Sequence, residues 1–493
     1  MSKETSTGAD IQNEQDQAPA STWRFPASFW FANLMELCER AAYYGFFIVL
    51  TLYLTRVAGF TDTETGFVAG LFYGGLYLLP PFVGAVSDRI GFKAGLILAF
   101  GLLAVGYFFL GVVSSKPMVI LFLFLAMVGG SFIKPLITGT VAKTTNAANR
   151  ARAYSLFYWV VNIGSFSGKT VVPWIRQGVG LEYVNFFSAA MTLVALTVAL
   201  LLFKPTEAAE ERKSLREVFA SAWGVITNAR LMVLTLIVSG FWVIQAQMYS
   251  TMPKYVIRLL GEGAKPEWLA NVNPLVVVLC VVLVTQLMKK RRAVTSMLVG
   301  MLIMPFSAAA MAFSTTLVQY TGNEVNLVVT VLHPITVMMI VGIALQGLAE
   351  CFISPRFLEY FSLQAPKGEE GTYLGFSHLH SFISAIVAFF MSGFLLEAYC
   401  PDPTRLSLID GLRNLVHVQA GADHVFFQMP RFADIAEISD LTAAQRDLFY
   451  SGAHHIWYYF VAIGFTAGVA LFFFRLVVNR LDKKSDRKDP GDL

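Results

Sequence analysis

A chain that presents an apolar segment of roughly 20 residues, the length that crosses a bilayer, twelve times over has few ways to fold other than in lipid. Such segments run near 27–55, 64–86, 94–113, 117–142, 152–175, 182–203, 231–257, 269–288, 295–317, 334–362, 371–398 and 452–478. Only closed hydrogen-bonding structures span a membrane, and segments of this length read as helices. Composition narrows the class further: Asp, Glu, Lys and Arg make up 14% of the 493 residues, against about 25% in soluble domains. A water-soluble enzyme, a nucleic-acid binder and a disordered chain are disfavoured together. The expected fold is all-α, with twelve transmembrane helices.

Charge placement organises these helices. Loops after even-numbered spans hold fifteen Lys and Arg (Arg89, Lys93, Lys143, Arg150, Arg152, Lys204, Arg212, Lys213, Arg216, Arg230, Lys289, Lys290, Arg291, Arg292 and Lys367). Loops after spans 1, 3, 5, 7 and 9 hold five (Arg56, Lys116, Arg176, Arg258 and Lys265). The positive-inside rule then puts both termini in the cytoplasm of a plasma membrane, bacterial inner membrane by expectation. Residues 1–22 are polar and read as a disordered cytoplasmic tail. A six-helix half over 23–203, a charged cytoplasmic linker over 204–230, a second half over 231–479 with an outer loop at 399–451, and a tail over 480–493 complete the division. Cys38, Cys280, Cys351 and Cys400 are scattered and suggest neither disulfides nor a metal site.

Six charges stand well inside spans: Glu36, Glu39, Arg40, Lys134, Lys169 and Glu350. Each costs about 2.5–3.5 kcal/mol on insertion scales, so a functional reason is the default. Helical spacing puts Glu36, Glu39, Arg40, Tyr43 and Tyr44 on one broad face. Two carboxylates share one guanidinium there. Arg40 can neutralise one, which leaves the other with a like charge beside it in a low-dielectric site and favours holding a proton. If a substrate carboxylate draws Arg40 away, an acid is freed to take up that proton, a direct route to coupled transport. Tyr158, Asn162, Ser165 and Lys169 form one polar stripe on the fifth span. Lys134, among small residues, could meet Glu350 across the halves.

Glu36 to Gly45 resembles the E-x-x-E-R-F-x-Y-Y-G motif of the proton-coupled oligopeptide transporters, a family of the major facilitator superfamily. Phe157 to Phe166 is similar to that family's F-Y-x-x-I-N-x-G-S-L signature. Further matches are Gly84, Asp88, Arg89, Gly91 and Lys93 to the superfamily's G-x-x-x-D-R-x-G loop, Asn273-Pro274-Leu275, Glu350 to Pro355, and His455 to Tyr458. The resemblance implies two six-helix halves importing di- or tripeptides, or peptide-like compounds, with protons. Glu36, Glu39 and Arg40 would couple the proton, and Arg40 would also hold the substrate carboxylate. Lys134 would be the counter-charge to Glu350. Glu350, with Asn162 and Asn273, would hold the amino terminus, and Tyr44, Tyr77 and Trp242 would line side-chain pockets. Gly84, Asp88, Arg89 and Lys93 would serve gating. No cofactor is implied beyond the proton as coupling ion; the partners are a small substrate, protons and the bilayer, with no nucleic acid.

Two positions depart from the family. Phe47 stands where members carry a second Arg, and Ala246 stands where they carry an acid beside Gln in the seventh span. Those groups form an outer-gate ion pair in the family, so this gate closes otherwise, and Lys169 is a candidate replacement cation. Nitrate, an amino-acid conjugate or a nucleoside are alternative substrates, and a non-transporting sensor is a further reading. Gly164 to Thr170 imitates a phosphate loop but has three residues between its glycines where four are needed. No nucleophile–base or H-E-x-x-H spacing suggests an enzyme. His378 and His380 point to different helix faces and make a poor metal pair.

Overall fold

The computed structural model describes residues 24–145, 149–204, 223–327, 330–365, 373, 376–402, 446, 447 and 449–485. The expected tail 1–22, most of the linker 204–230 and of the loop 399–451, and the end of the tail 480–493 lie outside the described residues.

Twelve helical spans are present among the described residues. The first is Ala27–Arg56. The second is broken into Asp62–Leu78 and Pro80–Ile90, because Pro80 supplies no N–H to continue the ladder. Phe92–Leu110, Lys116–Lys143, Arg150–Gly178 and Tyr183–Leu202 complete the first half. The second half comprises Ala229–Ser250, Pro266–Met288, Ala293–Ala312, Pro334–Leu363, Leu379–Tyr399 and His455–Ser485. Ten of these are individually long and apolar enough to cross a membrane. The second fails because it is broken, and the fifth because its stripe is polar. The sequence did not suggest the two-stranded hairpin of Val325–Leu327 and Thr330–Leu332, between the ninth and tenth spans.

In lipid, helices associate through close packing, so small residues decide where they touch. The segment that imitates a phosphate loop is such a seam. A Cβ on Gly168 would lie 2.3 Å from the Ala41 carbonyl oxygen, and one on Gly164 would lie 2.8 Å from that of Leu37. The fifth span therefore lies directly against the helix turn that carries Glu39 and Arg40. A second seam joins the halves: a Cβ on Gly66 would lie 2.3 Å from the Phe389 oxygen, and one on Gly393 2.6 Å from the Asp62 oxygen. Both contacts are at the end of the bundle bearing the odd-numbered loops. At the other end, Gly91 takes φ +87° between the second and third spans, a left-handed turn that favours glycine.

The seventh helix stops at Gln245 and resumes at Gln247, with Ala246 at the break, then continues as Met252–Leu260. That bend brings Tyr249, Lys254 and Arg258 beneath the odd-loop end of the first half.

Candidate functional site

The first span places its charges as the spacing predicts. Glu36, Glu39 and Arg40 are 2%, 2% and 7% exposed. Arg40 Nε donates to Glu39 Oε2 at 2.5 Å and lies 3.4 Å from Glu36 Oε1, while Arg40 Nη2 contacts the same Glu39 carboxylate. The guanidinium also lies over the Tyr43 and Tyr44 rings at 5.1 and 5.8 Å. Glu36 Oε2 is buried with no hydrogen-bond partner. One acid is thus answered closely and the other weakly.

Glu39, Arg40 and Lys134 line a small pocket between spans one to four. Tyr77 and Tyr107 line it too. Lys134 lies over the Tyr77 ring at 4.8 Å, and His378, at the start of the eleventh helix, sits beside that ring at 5.9 Å. His380 is a satisfied core residue: its Nδ1 is 2.5 Å from the Ser377 carbonyl, and its ring packs on Trp242 at 5.2 Å.

The expected pairing of Glu350 with Lys134 is not made in this structure: no ion pair joins the two among the described residues. Lys134 instead faces the first-half pocket, where its charge reaches Glu36 and Glu39. Glu350 Oε2 accepts from Gln245 Nε2 at 3.0 Å and from Asn273 Nδ2 at 3.3 Å. Asn162 Nδ2 turns back to the Tyr158 carbonyl at 2.7 Å, because a carbonyl one turn away is always in reach. Lys169 is 1% exposed and donates to the Ala270 carbonyl at 3.2 Å.

Among the gating candidates, Lys93 donates to the Leu200 carbonyl at 3.0 Å within its own half. Arg89 is exposed. A Cβ on Gly84 would meet Pro135 at 4.0 Å. The Asp88 side chain lies outside the described residues.

At the odd-loop end the halves are joined by the rings around Phe47 and by buried charges. Phe47 is 1% exposed and packs on Tyr43, Tyr73, Tyr249 and Phe389, with ring centroids 4.8–5.9 Å apart. Aromatic rings from the first, second, seventh and eleventh spans thus enclose Phe47, at the position where the motif carries its second Arg. Beyond them lies a buried ion network. Asp62 contacts Lys254 Nζ at 2.6 Å and Arg258 Nη1 at 2.8 Å, all three being at most 6% exposed. Arg258 also donates to the Cys400 carbonyl at 2.5 Å. A second cluster sets Arg176 on Glu267 at 2.6 Å and Arg56 on Glu262 at 2.7 Å. Lys254 carried a readable signal, since it is a charge in an apolar segment; Asp62 and Arg258 looked like ordinary loop charges.

Two six-helix halves, joined at one end and bearing opposed charges between them at mid-depth, define an integral membrane protein of the two-bundle transporter architecture. The chain belongs to the Major Facilitator Superfamily, whose profile matches residues 32–331. A dipeptide and tripeptide permease B of Xenorhabdus bovienii is 28% identical over 185 residues, 37% of this chain and 38% of the permease. The chain thus matches well under half the length of that relative. A multidrug resistance protein MdtH of Cronobacter sakazakii is 22% identical over 358 residues, 72% of this chain and 83% of that protein. The crystal structure of the POT family transporter PepTSo shares the fold, with a TM-score of 0.65 at 17% identity, covering 93% of this chain and 99% of that one. A peptide transporter POT solved with sulfate has a TM-score of 0.64 at 15% identity, covering 95% and 98%.

Proposed function

We propose that the protein is a proton-coupled symporter that imports small peptides or peptide-like carboxylates by alternating access. The observation that carries this reading is the buried Glu36–Glu39–Arg40 group, two acids sharing one guanidinium beside a small pocket. A carboxylate that engages Arg40 weakens its hold on Glu39 and raises that acid's affinity for a proton. Substrate and proton then load together, and the two halves rock about them. The permease relatives and the shared fold support the peptide class. With both termini cytoplasmic, as the basic loops favour, the joined odd-loop end faces outward and the site is reached from the cytoplasm.

A second reading, efflux of amphipathic compounds, is favoured by the longer match to the MdtH relative. Proteoliposomes with an inward proton gradient separate the two. Gradient-dependent, protonophore-sensitive uptake of a labelled dialanine supports the symport. Expulsion of a dye against an inward gradient, with no peptide, amino acid, nucleoside or nitrate flux, overturns it.

A further inference from the structure

Charge bookkeeping across the site narrows the substrate class. On the first-half side stand Glu36, Glu39, Arg40 and Lys134, two acids against two cations. Against the second half stand Glu350 and, reaching across from the fifth span, Lys169. These two are anchored one helical turn apart at the start of the eighth span, Lys169 on the Ala270 carbonyl and Glu350 on the Asn273 side chain. Each side is neutral as it stands. When one proton loads on Glu36 or Glu39, the first-half side becomes positive, at Arg40 and Lys134. The second-half side does not change. The protonated site therefore attracts one anionic group and offers no unanswered acid to a cation.

An acid intended for a substrate ammonium needs its charge free. Glu350 already accepts from two amide donors, and one of them, Asn273, lies a single turn from the Ala270 carbonyl that holds the buried Lys169 ammonium. An ammonium placed beside it meets the like charge of Lys169 in a low-dielectric setting, where such repulsion is weakly screened. A neutral, acylated nitrogen meets no such repulsion, and its N–H can still donate to the carboxylate. The Tyr44 ring, 5.5 Å from Lys169 Nζ and 6.3 Å from the Tyr249 ring, suits an acyl cap.

We propose that this site selects monoanionic carboxylates whose nitrogen is acylated, such as N-blocked dipeptides or N-acyl amino acids, over peptides with a free amino terminus. The inference rests on the transport reading above, names its substrate class, and assigns Lys169 as the residue that sets the selection. One proton and one monoanion together carry no net charge, so transport follows a pH gradient and not the membrane potential.

The test compares labelled N-acetyl-dialanine with labelled dialanine in proteoliposomes of the full chain, with pH gradient and potential imposed separately. Binding of both to the detergent-purified protein is followed by thermal shift. The expected result is at least a tenfold higher kcat/KM for the N-acetyl compound, insensitive to potential. Lys169→Gln should bring the two compounds to within about threefold by raising uptake of dialanine. A folded Lys169→Gln protein that keeps the wild-type ratio overturns the assignment of Lys169. Equal or better uptake of dialanine by the wild type overturns the inference and leaves the symport reading standing. Selective binding of the N-acetyl compound without flux supports the selection and overturns the symport reading. Neither binding nor flux of that compound overturns the inference.

Discussion

Replacing Asp62 by Asn should unlock the odd-loop end. Asp62 holds Lys254 and Arg258 at 2.6 and 2.8 Å across the boundary between halves, with all three side chains buried. The substitution preserves shape but removes the only negative charge within 3 Å of either cation among the described residues. Asp402, 3.7 Å from Arg258, is a weaker substitute. Breaking a buried pair from one side costs about 3–5 kcal/mol, because a charge is left unanswered. That cost falls on the closed form alone, since opening takes Lys254 and Arg258 away from the second span and into water. At about 1.4 kcal/mol per tenfold, the equilibrium should move by a hundred- to several-thousand-fold toward the form open at that end. Ala246, 5% exposed at the break in the seventh helix, gives the readout. In a cysteine-free background, Ala246→Cys should resist a membrane-impermeant maleimide applied from the odd-loop side. Adding Asp62→Asn should make it react at least tenfold faster, with expression and helix content retained. An unchanged labelling rate in a folded double variant would refute the argument that these ion pairs lock the halves together.

Further outcomes follow from the same geometry. Glu36→Gln and Glu39→Gln should each abolish proton-driven accumulation while sparing expression; concentrative uptake by both would sink the coupling role of the triad. Gly168→Ala should lower the detergent-solubilised Tm sharply, since its Cβ would lie 2.3 Å from the Ala41 oxygen in rigid backbone; a shift under 2 °C would mean that the first and fifth spans can separate without loss. Glu262→Gln, at the partly exposed Arg56 pair, should change stability by about 1 kcal/mol or less, and a loss as large as that of Asp62→Asn would contradict the ranking by burial.

Much of the fold is legible in the sequence because a helix in lipid is announced by its own residues. The apolar segments, the two halves and the Glu36–Glu39–Arg40 face depend on local spacing, and the structure places them where that spacing says. Span two was legible as apolar, but its break at Pro80 and the bend at Ala246 depend on neighbours that re-satisfy the backbone. Lys134 and Lys169 show where legibility ends. Both are single lysines in apolar helices, and each was readable as a functional charge. Which of them faces Glu350 depends on how far helices four, five and ten rotate and how closely they approach.

The sequence by itself determined that this protein spans a membrane many times, in two halves, with charges at mid-depth, since transfer into lipid is a property of each residue and its near neighbours. Only the tertiary structure decided the partners. Asp62 meets Lys254 across 192 positions of chain, and Phe47 meets Phe389 beside the seam where Gly66 packs on the Phe389 backbone. An ion pair or a ring contact depends on distance in space, falls off within a few ångströms, and leaves no periodic trace along the chain.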